Sequence, residues 1–507
     1  MDIDLLYLVL LVSVLLIFHK LTTQKRKFQH EKQIPSPPGL PVIGHFHLLK
    51  QPLAQTLTNL STKYGPIFFL RLGSRPTLVL SDRSVIEECF SENDIAFSNR
   101  PLLPSRKFTS YNHVTIGAPY GNHWRNLRRF TVLEIFSAKR LQMSSNVRAE
   151  ELRIMVKHLF KSSLKGAKKV DVKAFFYMLD FNIIMRMVAG KKCIEEEEID
   201  KDEAKGKMDE MTRIFRPDVT MALGDYFPFL RWLTYFGVER KLVKLHHKRD
   251  ALTQALLDAH RNSEKSRSVG DSEVSGTIVD VMLKLQESEP DFYTDNVIKG
   301  IMQAMLMAGT HTTVMTMTSV ISHLISHPEV IKKARAEIDN HVGQSRLLND
   351  SDLPKLEYLH GIINETLRLD SVSVLPPRQS SEECKIAGYN IPQGTQLLVN
   401  VSAVHMDPDL WTEPEKFKPE RFQDIAAEKG GCKFMSFGIG RRICPGASLA
   451  MRVIALSLGT LIQCFEWENG EDESVGAVKT KQNMPKDRPV KIIFRPREAL
   501  VRVLDKL

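Results

Sequence analysis

The stretch FGIGRRICPG, Phe437 to Gly446, gathers glycines, arginines and one cysteine into a short loop. Gly438 and Gly440 permit a tight turn with positive φ around Cys444, and Gly446 permits close backbone approach to something flat. Pro445 removes an amide donor. Arg442, two residues before the cysteine, supplies a fixed positive charge. Backbone N–H groups facing sulfur, with a cation nearby, are the setting a thiolate metal ligand needs. A lone cysteine in a glycine-rich loop is more often a buried apolar residue. The spacing Phe437-x-x-Gly440-x-Arg442-x-Cys444-x-Gly446 is too specific for that reading.

A second unusual run, AGTHTT, spans Ala308 to Thr313 inside a long apolar stretch with helical period. Helix interiors prefer none of Gly, Thr or His, so local propensity does not explain it. Gly300, Ala304, Ala308 and Thr312 recur every four residues, a stripe of small side chains that leaves room for a plate or ligand. His311 lies about 100° around the helix from Thr312. Two readings of His311 stand side by side: a core histidine bonded to a backbone carbonyl, or a proton-relay group that donates or accepts near neutral pH.

The elements that must position these residues belong to one large unit. Across 507 residues no low-complexity linker divides the chain, and 43% hydrophobic with 26% charged residues is a globular balance with material for a large core. The net charge of +10 is scattered, without the aromatic-interleaved basic stripe of a nucleic-acid binder. It suits an acidic protein partner or anionic lipid. Cys89, Cys193, Cys384, Cys432, Cys444 and Cys464 form neither a CxxC pair nor a disulfide framework, which suits a reducing compartment.

Leu5 to Phe18 is apolar except for Ser13, with Asp2 and Asp4 before it and Lys20, Lys25, Arg26 and Lys27 after. As a helix it spans roughly 21 Å, extended by Ile3 and Leu21 to Thr23. Charge placement favours a retained signal anchor over a cleaved signal peptide, with the following chain cytosolic. Pro35, Pro37, Pro38 and Pro41 make PSPPGLPVIG a stiff strap. Ile67 to Leu72 and Thr77 to Leu80 read as a hairpin, after which Ser81 or Asp82 caps a helix through Phe90. Trp124 to Lys355 is mostly helical in period. Asn262 to Ser275 reads as a flexible loop, and Tyr226 to Phe236 as either core or a membrane-facing aromatic patch. After Lys385 the signals turn to short strands and loops.

With the cysteine loop, the ETLR of Glu365 and Arg368, the PERF of Arg421 and the WRNLR of Trp124 and Arg128, the chain resembles the cytochrome P-450 superfamily over essentially its whole length. The resemblance is to plant microsomal members acting on isoflavonoids, lignans and other phenolics. It implies a mainly α fold with small β-sheets, divided into a membrane anchor (1–23), a basic proline-rich hinge (24–45) and a haem-thiolate catalytic domain (46–507). It implies haem b with Cys444 as iron ligand, and Trp124, Arg128, Arg378, Phe437, Arg442 and Gly446 around the haem. Glu365, Arg368 and Arg421 form a structural ion cluster, and Thr312 is the oxygen-contacting threonine. His311 stands where the family carries an acid. The pocket segments that follow are His113, Val114 and Ile116; Arg213 to Leu223; Ala304 and Ala308; Val372, Ser373, Val374 and Leu375; and Ala477 within Val475 to Val478. DSVSVLPPR, Asp370 to Arg378, is one residue shorter than the family's usual form.

The implied activity is oxidation of a small phenolic substrate with O2 and NADPH electrons, delivered by a separate flavoprotein reductase at the endoplasmic reticulum membrane. Aromatic hydroxylation competes with oxidative phenol coupling or ring closure, as in benzophenone-to-xanthone chemistry. A haem-thiolate isomerase, a terpenoid or fatty-acid hydroxylase and a haem sensor are the alternatives. Thr312 weighs against the isomerase, and complete ExxR, PERF and pocket segments against the sensor.

Overall fold

The computed structural model describes residues 34–107, 111, 115, 117–164, 166, 169–199, 201–216, 223–230, 238–266, 276–370, 375–425, 432–470 and 490–507. The anchor segment 1–23 lies outside them.

The first strands form the expected hairpin, β1 (Ile67–Leu72) against β2 (Arg75–Leu80), turning at Gly73 with φ +60°. The second strand begins two residues before Thr77, because Pro76 sits on an edge position opposite Arg71. Asp82, not Ser81, caps helix α1 (Arg83–Glu92), accepting from the amides of Ser84 and Val85. Four further helices frame the interior: α2 (Asn122–Phe130), α3 (Val172–Ala189), and α4 (Asp295–Ala304) continuing through a π turn, Met305–Gly309, into α5 (Thr310–Ser326). Helix α3 is apolar nearly all round, and both its faces are buried. It packs along the α4–α5 rod.

Strand β3 (Lys169–Asp171) precedes α3. After α6 (Glu357–Leu369) come β4 (Arg378–Gln379), the hairpin of β5 (Cys384–Ile386) and β6 (Tyr389–Ile391), and β7 (Gln396–Val399). Helix α7 (Ala447–Cys464) leads into β8 (Phe465–Asn469) and β9 (Lys491–Pro496). The main sheet has the order β1-β2-β7-β4, with β2 and β7 parallel, and the second has the order β3-β9-β8. Helices build one large core, and the main sheet builds two smaller ones beside it.

Three sequence expectations change. Helix α7 lies where strands and loops were expected; buried all round, it shows no polar stripe and so no visible period. Among the described residues it alone is long and apolar enough to cross a membrane, and it is mostly buried. Residues Asn262 to Ser266 end the long helix Val238–Ser266, and 267–275 lie outside the described residues. Tyr226 and Phe227 are core, packed on Phe46 under the hairpin, so the membrane reading fails for them; Arg231 to Phe236 lie outside the described residues. The proline strap is held against the sheet. The Pro35 carbonyl accepts from the Phe69 amide, and His45 Nε2 bonds the Pro37 carbonyl at 2.8 Å, so the strap lies along β1. Leu40, Val42 and Ile43 remain exposed on it.

Candidate active site

Glu365 and Arg368 lie one helical turn apart on α6, fully buried. Arg368 grips the carboxylate with Nε at 2.7 Å and Nη2 at 2.9 Å. Arg421 Nε and the Lys418 amide donate to the same Oε1, at 2.9 and 3.0 Å. The remaining guanidinium N–H groups donate to carbonyls of His405, Pro414, Thr412 and Glu413. A buried charge cluster survives only when every donor is used in this way.

His405 connects this cluster to the cysteine loop. It is wholly buried, and desolvation pushes its pKa down to about 3, so it is neutral. Its Nε2 accepts from the Met435 amide at 3.0 Å, which leaves Nδ1 to donate to the Arg368 carbonyl at 3.2 Å. Ser436 Oγ adds a bond to the Leu367 carbonyl. The loop then turns through Gly438 (φ +86°) and Gly440 (φ +67°), as their sequence positions suggested. A Cβ on Gly440 would sit 2.3 Å from Asp94 Oδ1, so only glycine fits. The Cys444 amide closes the loop onto the Phe437 carbonyl at 2.9 Å, and Gly446 caps α7 with an ordinary negative φ.

Cys444 is solvent-accessible at its edge, yet surrounding protein desolvates the thiol and pushes its pKa up. Backbone bonds at Gly446 and Ala447 and the charge of Arg128 oppose that. The cation acting on the sulfur is therefore Arg128, from α2, whose Nη1 donates to the Ile443 carbonyl at 2.7 Å. Arg442 turns away from its near neighbour in sequence. It bonds the carbonyls of Ser98 and Ala118 and lies 4.4 Å over the Trp124 ring.

Arg442 belongs to a cluster with Arg378, Arg128, Arg100 and Arg106. Burial and mutual repulsion push Arg442 and Arg100 down to about 9, and burial lowers the other three. Asp94, near Arg378 and Arg441, and Asp225, near Arg106, are the carboxylates acting on this cluster. Excess buried cation of this kind fits a ligand bearing two carboxylates. Sequence reading missed Arg100, which donates to the Pro376 and Pro377 carbonyls, because nothing local in FSNRP marks it.

On the distal rod, Ala308 and Thr312 are exposed and Ala304 is half-buried, although their neighbours are packed. This side borders accessible space. Thr312 Oγ1 donates to the Ala308 carbonyl at 2.7 Å. Gly300, counted on the same stripe, faces Thr115 instead; a Cβ there would lie 2.3 Å from its methyl. His311 Nδ1 is hydrogen-bonded to the Tyr177 hydroxyl of α3. Leu375 is buried beside Gly438, in the sheet-side core. His113, Val114, Ile116, Val372, Ser373, Val374 and Ala477 lie outside the described residues, as do Pro217 to Ala222.

A helical domain with a glycine-turned cysteine loop, a buried Glu-Arg-Arg cluster and an arginine cradle for a dianion is the arrangement of a haem-thiolate oxygenase. The chain belongs to the Cytochrome P-450 family, matched over residues 34–494. It is 44% identical to Cytochrome P-450 81Q32 of Catharanthus roseus, over 99% of each chain. It is 43% identical to the (+)-piperitol/(+)-sesamin synthase of Sesamum radiatum, again over 99% of each. It is 41% identical to an isoflavone 2'-hydroxylase of Glycyrrhiza echinata, over 96% of this chain and 97% of the relative. The chain is thus a monooxygenase of a family that uses haem b held by a cysteine thiolate, O2 and NADPH electrons from a reductase.

Removing the carboxylate charge tests the buried cluster. Glu365→Gln keeps the side chain's shape but leaves Arg368 uncompensated, and stability should fall by about 3–5 kcal/mol. His405→Phe keeps the stack on Phe434 and loses both bonds, a cost of about 1–3 kcal/mol. Thermal melts of the holoenzyme measure both; a Glu365→Gln protein melting with wild type would refute the cluster's weight.

Proposed function

We propose that this chain oxidises a small phenolic substrate, hydroxylating an aromatic ring, with Cys444 as the thiolate ligand of the haem. The observation that carries this reading is the convergence of the Cys444 loop, Arg128 beside the sulfur and the excess-cation cradle. The relatives named for isoflavone hydroxylation supply the substrate class. The relative named as a piperitol and sesamin synthase supports ring closure as a second outcome on the same scaffold.

Haem b, when bound, supplies oxygen activation. The chain's own residues do the rest. Arg100, Arg128, Arg378 and Arg442 would hold the carboxylates of the cofactor. Ala304 and Ala308 keep the distal side low enough for a flat substrate, and Thr312 places a hydroxyl on that accessible side. His311 takes the place of the family's acid as the proton-handling group. Trp124, Arg125, Arg128 and Arg129 of α2, with Val132 and Leu133 after it, line a shallow depression that adjoins the arginine cradle. The segment 1–23 anchors the chain in the endoplasmic reticulum membrane, with exposed Leu40, Val42 and Ile43 near the lipid.

Purified enzyme with a flavoprotein reductase, NADPH and a panel of isoflavones, lignans and benzophenones should give products one oxygen heavier by mass. Products two hydrogens lighter would favour ring closure or coupling. Cys444→Ala should give neither, and should lose the reduced carbon-monoxide spectrum of thiolate ligation; a retained spectrum would overturn the assignment.

Deleting Met1 to Lys32 should free most of the protein from sedimented membranes with the haem domain still folded, leaving a minor share bound. Full retention after carbonate washing would contradict a single N-terminal anchor.

If His311 handles protons, His311→Ala should lower product per NADPH and raise peroxide release, since general acid–base participation is typically worth about 10²–10⁴-fold. His311→Asp should restore the ratio. Unchanged coupling in His311→Ala, with Thr312→Ala uncoupled, would remove His311 from the mechanism.

A further inference from the structure

Helix α3 crosses the distal rod at its π turn, and the crossing holds buried polar groups. Tyr177, Asp180 and Ile184 stand at i, i+3 and i+7 on one face of α3. Tyr177 bonds His311, with ring centroids 6.2 Å apart. Ile184 Cδ1 lies 3.2 Å from where a Cβ on Gly309 would sit. Asp180 falls between these two contacts. It is 1% exposed, and neither carboxyl oxygen has a hydrogen-bond partner among the described residues. On the rod, Thr310 falls between Gly309 and His311; it is 3% exposed, and its hydroxyl likewise has no partner there.

We propose that Tyr177 and Asp180 act through His311 as a proton supply to the distal helix, whose own turn carries no carboxylate. The proposal rests on the proton-handling reading of His311. A buried ionised carboxylate without donors is not sustainable, and burial accordingly pushes Asp180 well above the usual carboxylate range. The neutral acid is a donor, and the Thr310 hydroxyl is donor and acceptor. Groups of this kind at a helix crossing are satisfied by ordered water, and π turns recur at functional sites. The transfer involves one proton and no electrons. His311 gives its Nε2 proton to the distal acceptor while Nδ1 takes the proton of the Tyr177 hydroxyl, so one N–H and one O–H bond break, one N–H bond forms, and the released proton is bound by that acceptor. The Asp180 carboxylic acid, through water, returns a proton to the Tyr177 oxygen. Its carboxylate takes a replacement proton from solvent hydronium, which restores the starting state of the chain of groups.

The test uses the full-length holoenzyme with Asp180→Asn, which keeps size and polarity, and Tyr177→Phe, which keeps the ring. The infrared difference spectrum between wild type and Asp180→Asn at neutral pH should show a carboxylic-acid C=O band that shifts in D2O. With the carbon-monoxide spectrum intact, both variants should give several-fold less product per NADPH and more peroxide, as His311→Ala does. Absence of the band would overturn the proposal, because an ionised Asp180 has no proton to give. Wild-type coupling in Tyr177→Phe would overturn it as well, and that arm decides the question if Asp180→Asn fails to fold. If His311→Ala itself couples like wild type, the reading of His311 has failed; if it uncouples while Tyr177→Phe does not, only this proposal has.

Discussion

The buried carboxylate of Glu365 is the constraint from which the rest of the site hangs. Four donors converge on it from α6 and from the segment around Lys418 and Arg421. Because an unpaired charge at that depth is so costly, the two segments cannot separate without losing several kcal/mol. Arg368 passes the constraint on through its carbonyl to His405, and His405 to the Met435 amide where the cysteine loop begins. The position of Cys444 is therefore set from the protein interior, not by the loop alone. A flexible glycine-rich segment gains a fixed register because each of its ends is bonded to something that cannot move.

The electrostatics of the site run opposite to those of the cluster below it. Around Glu365, opposite charges cancel. In the cradle, burial lowers the basicity of five arginines, neighbouring arginines add to that at Arg100 and Arg442, and few carboxylates answer them. Such a surplus favours a bound anion. The same field reaches the sulfur through Arg128, which opposes the burial that would otherwise keep the thiol protonated.

The distal rod shows how a local irregularity becomes chemistry. A π turn at Met305–Gly309 rotates the residues after it relative to those before. Ala308 and Thr312 keep the accessible side, Gly300 turns against Thr115, and His311 is delivered to Tyr177. The histidine of AGTHTT bonds a side chain of the neighbouring helix through Nδ1. It is one end of a polar contact between two helices.

What the sequence determined by itself were features with short-range causes. Gly438 and Gly440 had to turn, Glu365 and Arg368 had to share a helix face, and the hairpin around Gly73 had to close, because each depends on backbone conformation within a few residues. What only the tertiary structure decided depended on segments distant along the chain. Arg442 beside Cys444 in sequence points elsewhere, and Arg128, 315 residues from the carbonyl it bonds, answers the sulfur instead. Arg100 and His405 carry no local mark of their roles. Tyr177 and His311 are 134 residues apart. Helix α7 hid because total burial erases the polar face by which a helix is read. Local geometry is written in neighbouring residues, whereas the partner of a charge is settled only by which distant surfaces the core brings together.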